Sequence, residues 1–364
     1  MMQKIKTWRQ VYAVTLGFAF GGMFGIVIKQ NQPMFPEVYL AEPQEVPSIS
    51  SSTKSYINHS IETPEQSSIR IRIVGDIMLD RNVKNRTEIS KNPNYPFLKL
   101  PNNWFEEVDF SMANLEGPVT DRRRPPDKTI DFQFDPSVIP VLKAQGFDAF
   151  SQANNHALDQ GNEGYVDSIN RLRAAGFIAF GHQVKDDEIA MATTTIRGMR
   201  LAFLGFNTTD NPLDRISAKA VLAQAQAEAE LVIVYMHWGT EYRDRPDVSS
   251  VELAHWLIDE GADIVIGTHP HWVQGISTYK EKPIVWSLGN FIFDQDFSLP
   301  TRQGLAIELV LNGKNISLKP IPIQIDQSQP RVAEENQLAE RLEVLADISD
   351  PELSGQIRSG MLNF

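Results

Sequence analysis

From residue 69 onward, short apolar runs alternate with longer amphipathic stretches. Ile69-Arg70-Ile71-Arg72-Ile73 is apolar at every second position, the period of a strand, and runs into Gly75-Asp76. The same reasoning predicts strands over 108–115, 147–153, 190–196, 200–206, 231–235 and 263–266, with a hairpin turn at Arg197-Gly198. Helical spacing predicts helices over 138–145, 165–175 (closed by Gly176), 217–230 and 251–260. Four more strands, over 273–279, 284–288, 305–311 and 316–325, read as a consecutive antiparallel set. A helix over 331–350 is expected next, and the last dozen residues are expected to be loose. Strand–helix alternation followed by a β-rich end predicts an α/β sandwich with mixed sheets.

The first thirty residues follow a different pattern. Residues 11–28 contain no charge, and as a helix they would span ~27 Å, close to the hydrocarbon core of a bilayer. Lys4, Lys6 and Arg9 precede this run, and after Lys29 the next basic residue is Lys54. This asymmetry predicts a cytoplasmic N-terminus, a membrane anchor and an exported body. A cleaved signal peptide is the rival, but Lys29-Gln30-Asn31-Gln32 stands where a small-residue cleavage site should be. Gly17, Gly21 and Gly25 share one face of the expected helix, a spacing that lets another helix approach closely. Residues 30–68, with five prolines and a serine-rich patch, read as a tether. The expected organisation is thus anchor 1–29, tether 30–68, main domain 69–330, and C-terminal helix and tail 331–364.

Composition narrows the chemistry. The formal net charge is −12, which argues against a nucleic-acid binder. There is no cysteine, so disulfides, thiolate metal sites and cysteine nucleophiles are excluded. Asp76, Glu116, Asn155, His237, His269 and His271 each fall at or just past the end of a predicted strand, where ligands gather in α/β folds. Carboxylate, amide and imidazole donors without sulfur suit Mn, Fe or Zn. Proline biases His269 toward an extended backbone, so His269 and His271 can project to one side. Four of the seven histidines, His156 among them, lie at these strand ends; His182 and His255 do not and are read as structural. Arg81 is a candidate clamp for a phosphate or carboxylate, while Arg122-Arg123-Arg124 reads as solvated. There is no G-x-x-x-x-G-K-[ST] phosphate loop, so ATP-driven amide synthesis is expected from a partner.

Six ordered segments now carry a resemblance. They are Gly75-Asp-Ile-Met-Leu, Ala113-Asn-Leu-Glu-Gly-Pro, Ala153-Asn-Asn-His-Ala-Leu-Asp, His237-Trp-Gly-Thr-Glu-Tyr, Gly261-Ala-Asp-Ile-Val-Ile-Gly-Thr-His-Pro-His and Ser287-Leu-Gly-Asn-Phe-Ile-Phe-Asp-Gln. Over roughly residues 70–325 the chain resembles the CapA family of capsule (poly-γ-glutamate) synthesis proteins, a branch of the calcineurin-like metallophosphoesterase superfamily. The resemblance implies a four-layer αββα sandwich with two divalent metal ions between the sheets. Asp76 and His271 would hold the first, Glu116 would bridge, and Asn155, His237 and His269 would hold the second. It also implies hydrolysis by a metal-activated hydroxide, with His156 as general acid.

Three positions depart from the wider pattern. Met78 stands where the phosphoesterase signature has histidine, Glu116 replaces an aspartate, and Gln133 stands where an arginine is often found. Two readings stay open. One is an exported metal-dependent hydrolase acting on an anionic polymer or phosphoester. The other is a non-catalytic accessory subunit of a membrane polymer synthase or export complex.

Overall fold

The computed structural model describes residues 68–126, 128–182 and 190–364. The expected anchor, and all but the last residue of the tether, lie outside the described residues. Among the described residues, no helix is long and apolar enough to cross a membrane. The described residues belong to one compact unit, in which the C-terminal segment expected as a separate tail is included.

Strand β1 (Ile69–Ile77) lies inside the larger of two sheets. It pairs in parallel with β2 (Phe110–Leu115), beyond which come β3 (Ala149–Ser151) and β4 (Ile178–Phe180). On its other side β1 pairs antiparallel with β12 (Gln303–Asn312), followed by β13 (Asn315–Asp326) and β14 (Gln329–Val332). The second sheet has the order β5-β6-β7-β8-β10-β9. Its strands are β5 (Met191–Ile196), β6 (Met199–Asn207), β7 (Leu231–His237), β8 (Ile264–Thr268), β9 (Val273–Tyr279) and β10 (Lys282–Leu288).

Alternating side chains build the layers. Ile71 and Ile73 of β1, with Phe203, Ile233, Tyr235 and Ile266 of the second sheet, fill one apolar cluster between the sheets. The opposite face of the larger sheet, including Ala113 and Phe150, packs on α1 (Arg81–Ser90), α2 (Val138–Ala144) and α3 (Gly161–Ala174). The opposite face of the second sheet, including Val232 and Val234, packs on α4 (Arg215–Glu228) and α5 (Val248–Asp259). The result is helix, sheet, sheet, helix. Strands buried on both faces read as near-continuous apolar runs, as 231–236 does.

Two expectations about the C-terminal third are corrected. The four late strands are not one antiparallel set. β9 and β10 pair with each other, β10 also pairs in parallel with β8, and β12 and β13 belong to the other sheet. The chain changes sheets at Gly289, and the short β11 (Asn290–Ile292) lies parallel to β1. Nor is the C-terminus loose. After α6 (Glu335–Asp347), α7 (Ser354–Ser359) and β15 (Leu362–Asn363) follow, and β15 pairs with β13. Leu353, Ile357 and Leu362 are buried in the inter-sheet cluster with Leu342 and Leu345 of α6. Their burial outweighs the fraying expected of a chain end.

Candidate metal centre

Parallel strands of both sheets end on the same side of the molecule, and the expected residues meet there. Asp76 is the penultimate residue of β1, Glu116 follows β2, His237 ends β7, and His269 and His271 follow β8. A carboxylate oxygen from each of Asp76 and Glu116 and a ring nitrogen of His237 lie within 4.8 Å of one another. His271 Nδ1 is 3.4 Å from Asp76 Oδ2, and its Nε2 is 3.8 Å from Glu116 Oε1. Asn155 Oδ1 is 2.9 Å from His237 Nε2. The rings of His237 and His269 have centroids 4.7 Å apart, and those of His269 and His271 are 5.9 Å apart.

The His269-Pro270-His271 turn does not have the expected extended backbone at its first residue. His269 has φ 93° and His271 φ 57°, both in the left-handed region. The preference imposed by Pro270 is overridden by tertiary contacts. His269 N–H donates to Asp76 Oδ2 at 3.3 Å, and Pro270 O accepts from Tyr242 N–H at 2.8 Å. Non-glycine residues held this way cost on the order of 1–3 kcal/mol each and persist where surrounding structure over-determines them.

Neighbours orient the imidazoles. Asn290 gives its amide N–H groups to Gln295 Oε1 and Thr301 O, so its Oδ1 accepts from His271 Nδ1–H at 2.9 Å. That leaves His271 Nε2 as the lone-pair nitrogen, turned toward Glu116. Thr268 Oγ1 donates to Met236 O and accepts from His237 Nδ1–H at 3.1 Å. His237 Nε2 and Asn155 Oδ1 are then two acceptors converging on one space. Asn114 steadies Asp76, donating to its Oδ1 at 2.8 Å, and accepts from Asn154 at 3.1 Å.

The electrostatics call for a cation. Glu116 and Asp76 are fully buried, and neither Glu116 oxygen has a hydrogen-bond partner. Burial, and then the Asp76 charge, push the Glu116 carboxyl well above its ordinary range. Burial, then His271 and His156, push the His269 imidazole down to about 3, and burial likewise pushes His237 well down. His269 Nδ1 also lacks a partner. Two crowded carboxylates, neutral imidazoles and unsatisfied lone pairs are the donor set of a divalent cation, so the residues present fit a metal.

His156 lies at the rim, its ring tilted against Phe132 with centroids 4.0 Å apart. Its Nδ1 is 2.6 Å from Asp159 Oδ2, which also accepts from Phe132 N–H. Arg81 is pinned by Asp294, Nε to Oδ2 at 3.2 Å, and its guanidinium sits 5.9 Å from the Phe132 ring centroid. Gln133 takes a structural role, donating to Thr120 O and Arg122 O and so holding the arginine-rich loop. In that loop Arg122 pairs with Glu163 and Arg123 with Asp131, so these two cations are paired locally. Met78 is buried in the outer apolar cluster, where its sulfur accepts from Asp80 N–H at 3.1 Å. His255 stacks on Tyr279 and His182 packs edge-on against Tyr165, both away from the metal centre.

Sequence reasoning missed Asn114, Asn154, Asp159, Thr268 and Asn290. All five lie within the quoted motif segments, and that proximity was the available signal. Their partners are residues distant in the chain or hidden by the fold.

Among curated proteins, the chain is 28% identical over 322 residues to the PGA biosynthesis protein CapA of Bacillus subtilis (strain 168), covering 84% of each chain. It is 29% identical over 290 residues to the capsule biosynthesis protein CapA of Bacillus anthracis, covering 73% of this chain and 70% of that one. A solved structure of a hypothetical protein from Thermus thermophilus aligns with a TM-score of 0.45 at 16% identity, over 70% of this chain and 99% of that one. The family model for the bacterial capsule synthesis protein PGA_cap matches residues 70–295, a span that contains every residue of the centre, and the chain belongs to that family.

Proposed function

We propose that this protein is a metal-binding, membrane-anchored component of capsule polymer (poly-γ-glutamate) biosynthesis or export, with its main domain outside the cytoplasm and with metal-dependent hydrolase activity. The observation that carries the metal reading is Glu116, a fully buried carboxylate with both oxygens unpartnered beside Asp76. The process is that printed for the two Bacillus relatives. The anchor and its orientation rest on the uncharged run 11–28 and the cations ahead of it.

Asp76, Glu116, Asn155, His237, His269 and His271 would hold divalent cations, two on the motif correspondence, with Mn, Fe or Zn suited to the donors. Bound there, such ions would supply Lewis acidity and activate water at neutral pH. The chain supplies the rest. His156, with Nδ1 engaged by Asp159, has Nε2 left to deliver a proton to a leaving group. Arg81, fixed by Asp294, orients an anionic substrate group, whether phosphate or the carboxylate of a polymer. Membrane synthase or export subunits would be the partners.

The second reading, a non-catalytic accessory subunit, is favoured by Met78, a thioether turned into the apolar cluster at a position where phosphoesterases have a ligand. Metal content of the full chain, beside a His269→Ala/His271→Ala variant, separates the two. Two equivalents of Mn, Fe or Zn, lost in the variant, support the hydrolase and justify assays on phosphoesters and γ-glutamyl polymers. Absence of metal from both folded proteins would leave the accessory subunit.

A further inference from the structure

Glu241 lies four residues beyond His237, on the loop that follows β7. The loop turns back onto the centre, where Tyr242, in the left-handed region at φ 59°, donates its backbone N–H to Pro270 O at 2.8 Å. The Tyr242 ring lies beside His271, with centroids 6.1 Å apart, and its hydroxyl accepts from Gln295. Gln295 Oε1 in turn accepts from Asn290, the residue that orients His271. Glu241 is therefore tied to the histidine turn by its neighbour's backbone and side chain together.

The consequence is a second group of donors. A carboxylate oxygen of Glu241 and a ring nitrogen from each of His269 and His271 lie within 4.8 Å of one another. Both histidines are more than nine-tenths buried, and His269 Nδ1 has no hydrogen-bond partner. Ligands ~2.1 Å from one cation sit ~3–4 Å apart, so side-chain movements of up to about 1–2 Å would close the set. Two imidazoles and one carboxylate form a recurrent catalytic donor set that leaves coordination positions open for water or substrate. Asp76 and Glu116 already lie 3.4 and 3.8 Å from the His271 ring nitrogens, and Glu241 would add a further carboxylate to a cation shared by His269 and His271. Met78 offers no such group, being a soft thioether whose sulfur already accepts from Asp80 N–H.

We propose that Glu241 is a metal ligand of this chain, the carboxylate that completes a cation position with His269 and His271. The proposal rests on the metal-binding reading above and extends it to a residue outside that ligand set.

The test is Mn2+ titration of the chelator-stripped full chain by calorimetry, with Mn2+ electron paramagnetic resonance on the same samples. Wild type, Glu241→Gln and Glu241→Asp are compared, and thermal unfolding of the stripped proteins checks that the amide variant is folded. The expected result is that Glu241→Gln weakens one Mn2+ equivalent on the order of 100-fold and alters its resonance, while Glu241→Asp restores most of the affinity. Wild-type affinity and an unchanged resonance in Glu241→Gln would overturn this proposal alone, even if turnover fell, because Glu241 would then be moving protons rather than holding metal. A wild type that binds no Mn2+ would overturn this proposal and the metal reading together.

Discussion

Gly75 has no room for a side chain, since a Cβ there would lie 1.9 Å from Gly289 O. That close approach lets Asp76 N–H reach Gly289 O at 3.1 Å and sets Asp76 beside Asn290 in register. Gly75→Ala should therefore cost about 3 kcal/mol or more, read as a lowered urea midpoint, and a variant of wild-type stability would refute the packing argument. The protonation of Glu116 gives a second prediction. Burial raises its pKa, so the metal-free site carries a proton over a window above the ordinary carboxylate range, and cation binding must expel it. Affinity for Mn2+ should rise with pH through that window. Calorimetry in buffers of different ionisation enthalpy should show proton release, and none at all would contradict it. His269 and His237 are not the source, because burial pushes both imidazoles down, His269 to about 3. At this scale Asp76, Glu116, Asn155 and the histidines were legible as polar residues at strand ends. Thr268 and Asn290 were not, because a lone threonine or asparagine shows its partner only after the chain is folded.

Among the elements, β1 and β12 are joined by more than backbone. Arg72 faces Glu308 in register and reaches Oε2 at 2.6 Å, while Arg70 reaches Oε1 at 2.9 Å. Arg72 also donates to Trp104 O and stacks over that ring. Burial opposes ionisation of Glu308, yet the bonds from Arg70 and Arg72 hold its pKa below the ordinary value. A depressed carboxyl contributes stability that is present above its unfolded pKa and fades as pH falls through its folded one. Glu308→Gln should cost about 1–3 kcal/mol at neutral pH, and the loss should shrink toward acid in pH-resolved denaturant melts. A loss that grows toward acid would contradict the assignment. Among the described residues, periodicity located eleven of the fifteen strands and the long helices, but not the short β4, β11, β14 and β15. It missed α1, which buries only Val83 and relies on the Asp80 side chain accepting Arg81 N–H as an N-cap. It also misassigned the late strands, since alternation marks a strand without naming its neighbour.

Seen whole, the molecule closes one end of its inter-sheet core with the C-terminal segment. Leu353, Ile357 and Leu362 sit among Leu318 and Leu345, and Ile276 N–H is met by Ser349. Deleting residues 351–364 should expose this apolar edge, lower the melting temperature by several degrees and promote aggregation. An unchanged melting temperature would show that the segment contributes nothing. The candidate metal centre lies at the strand ends where the chain crosses between sheets, so such a truncation tests the scaffold rather than the candidate ligands.

The sequence alone determined the α/β class, the positions of most strands and long helices, and which polar side chains gather at the strand ends, because apolar period and strand-end position are local properties of the chain. It also located Met78, Glu116 and Gln133 as departures from a wider pattern. Only the tertiary structure decided the split of the late strands between two sheets, the left-handed His269 and His271, the tautomers set by Thr268 and Asn290, and the return of Glu241 to the histidine turn. Each of these depends on groups far apart in the chain, whose contacts and desolvation exist only once the two sheets have packed.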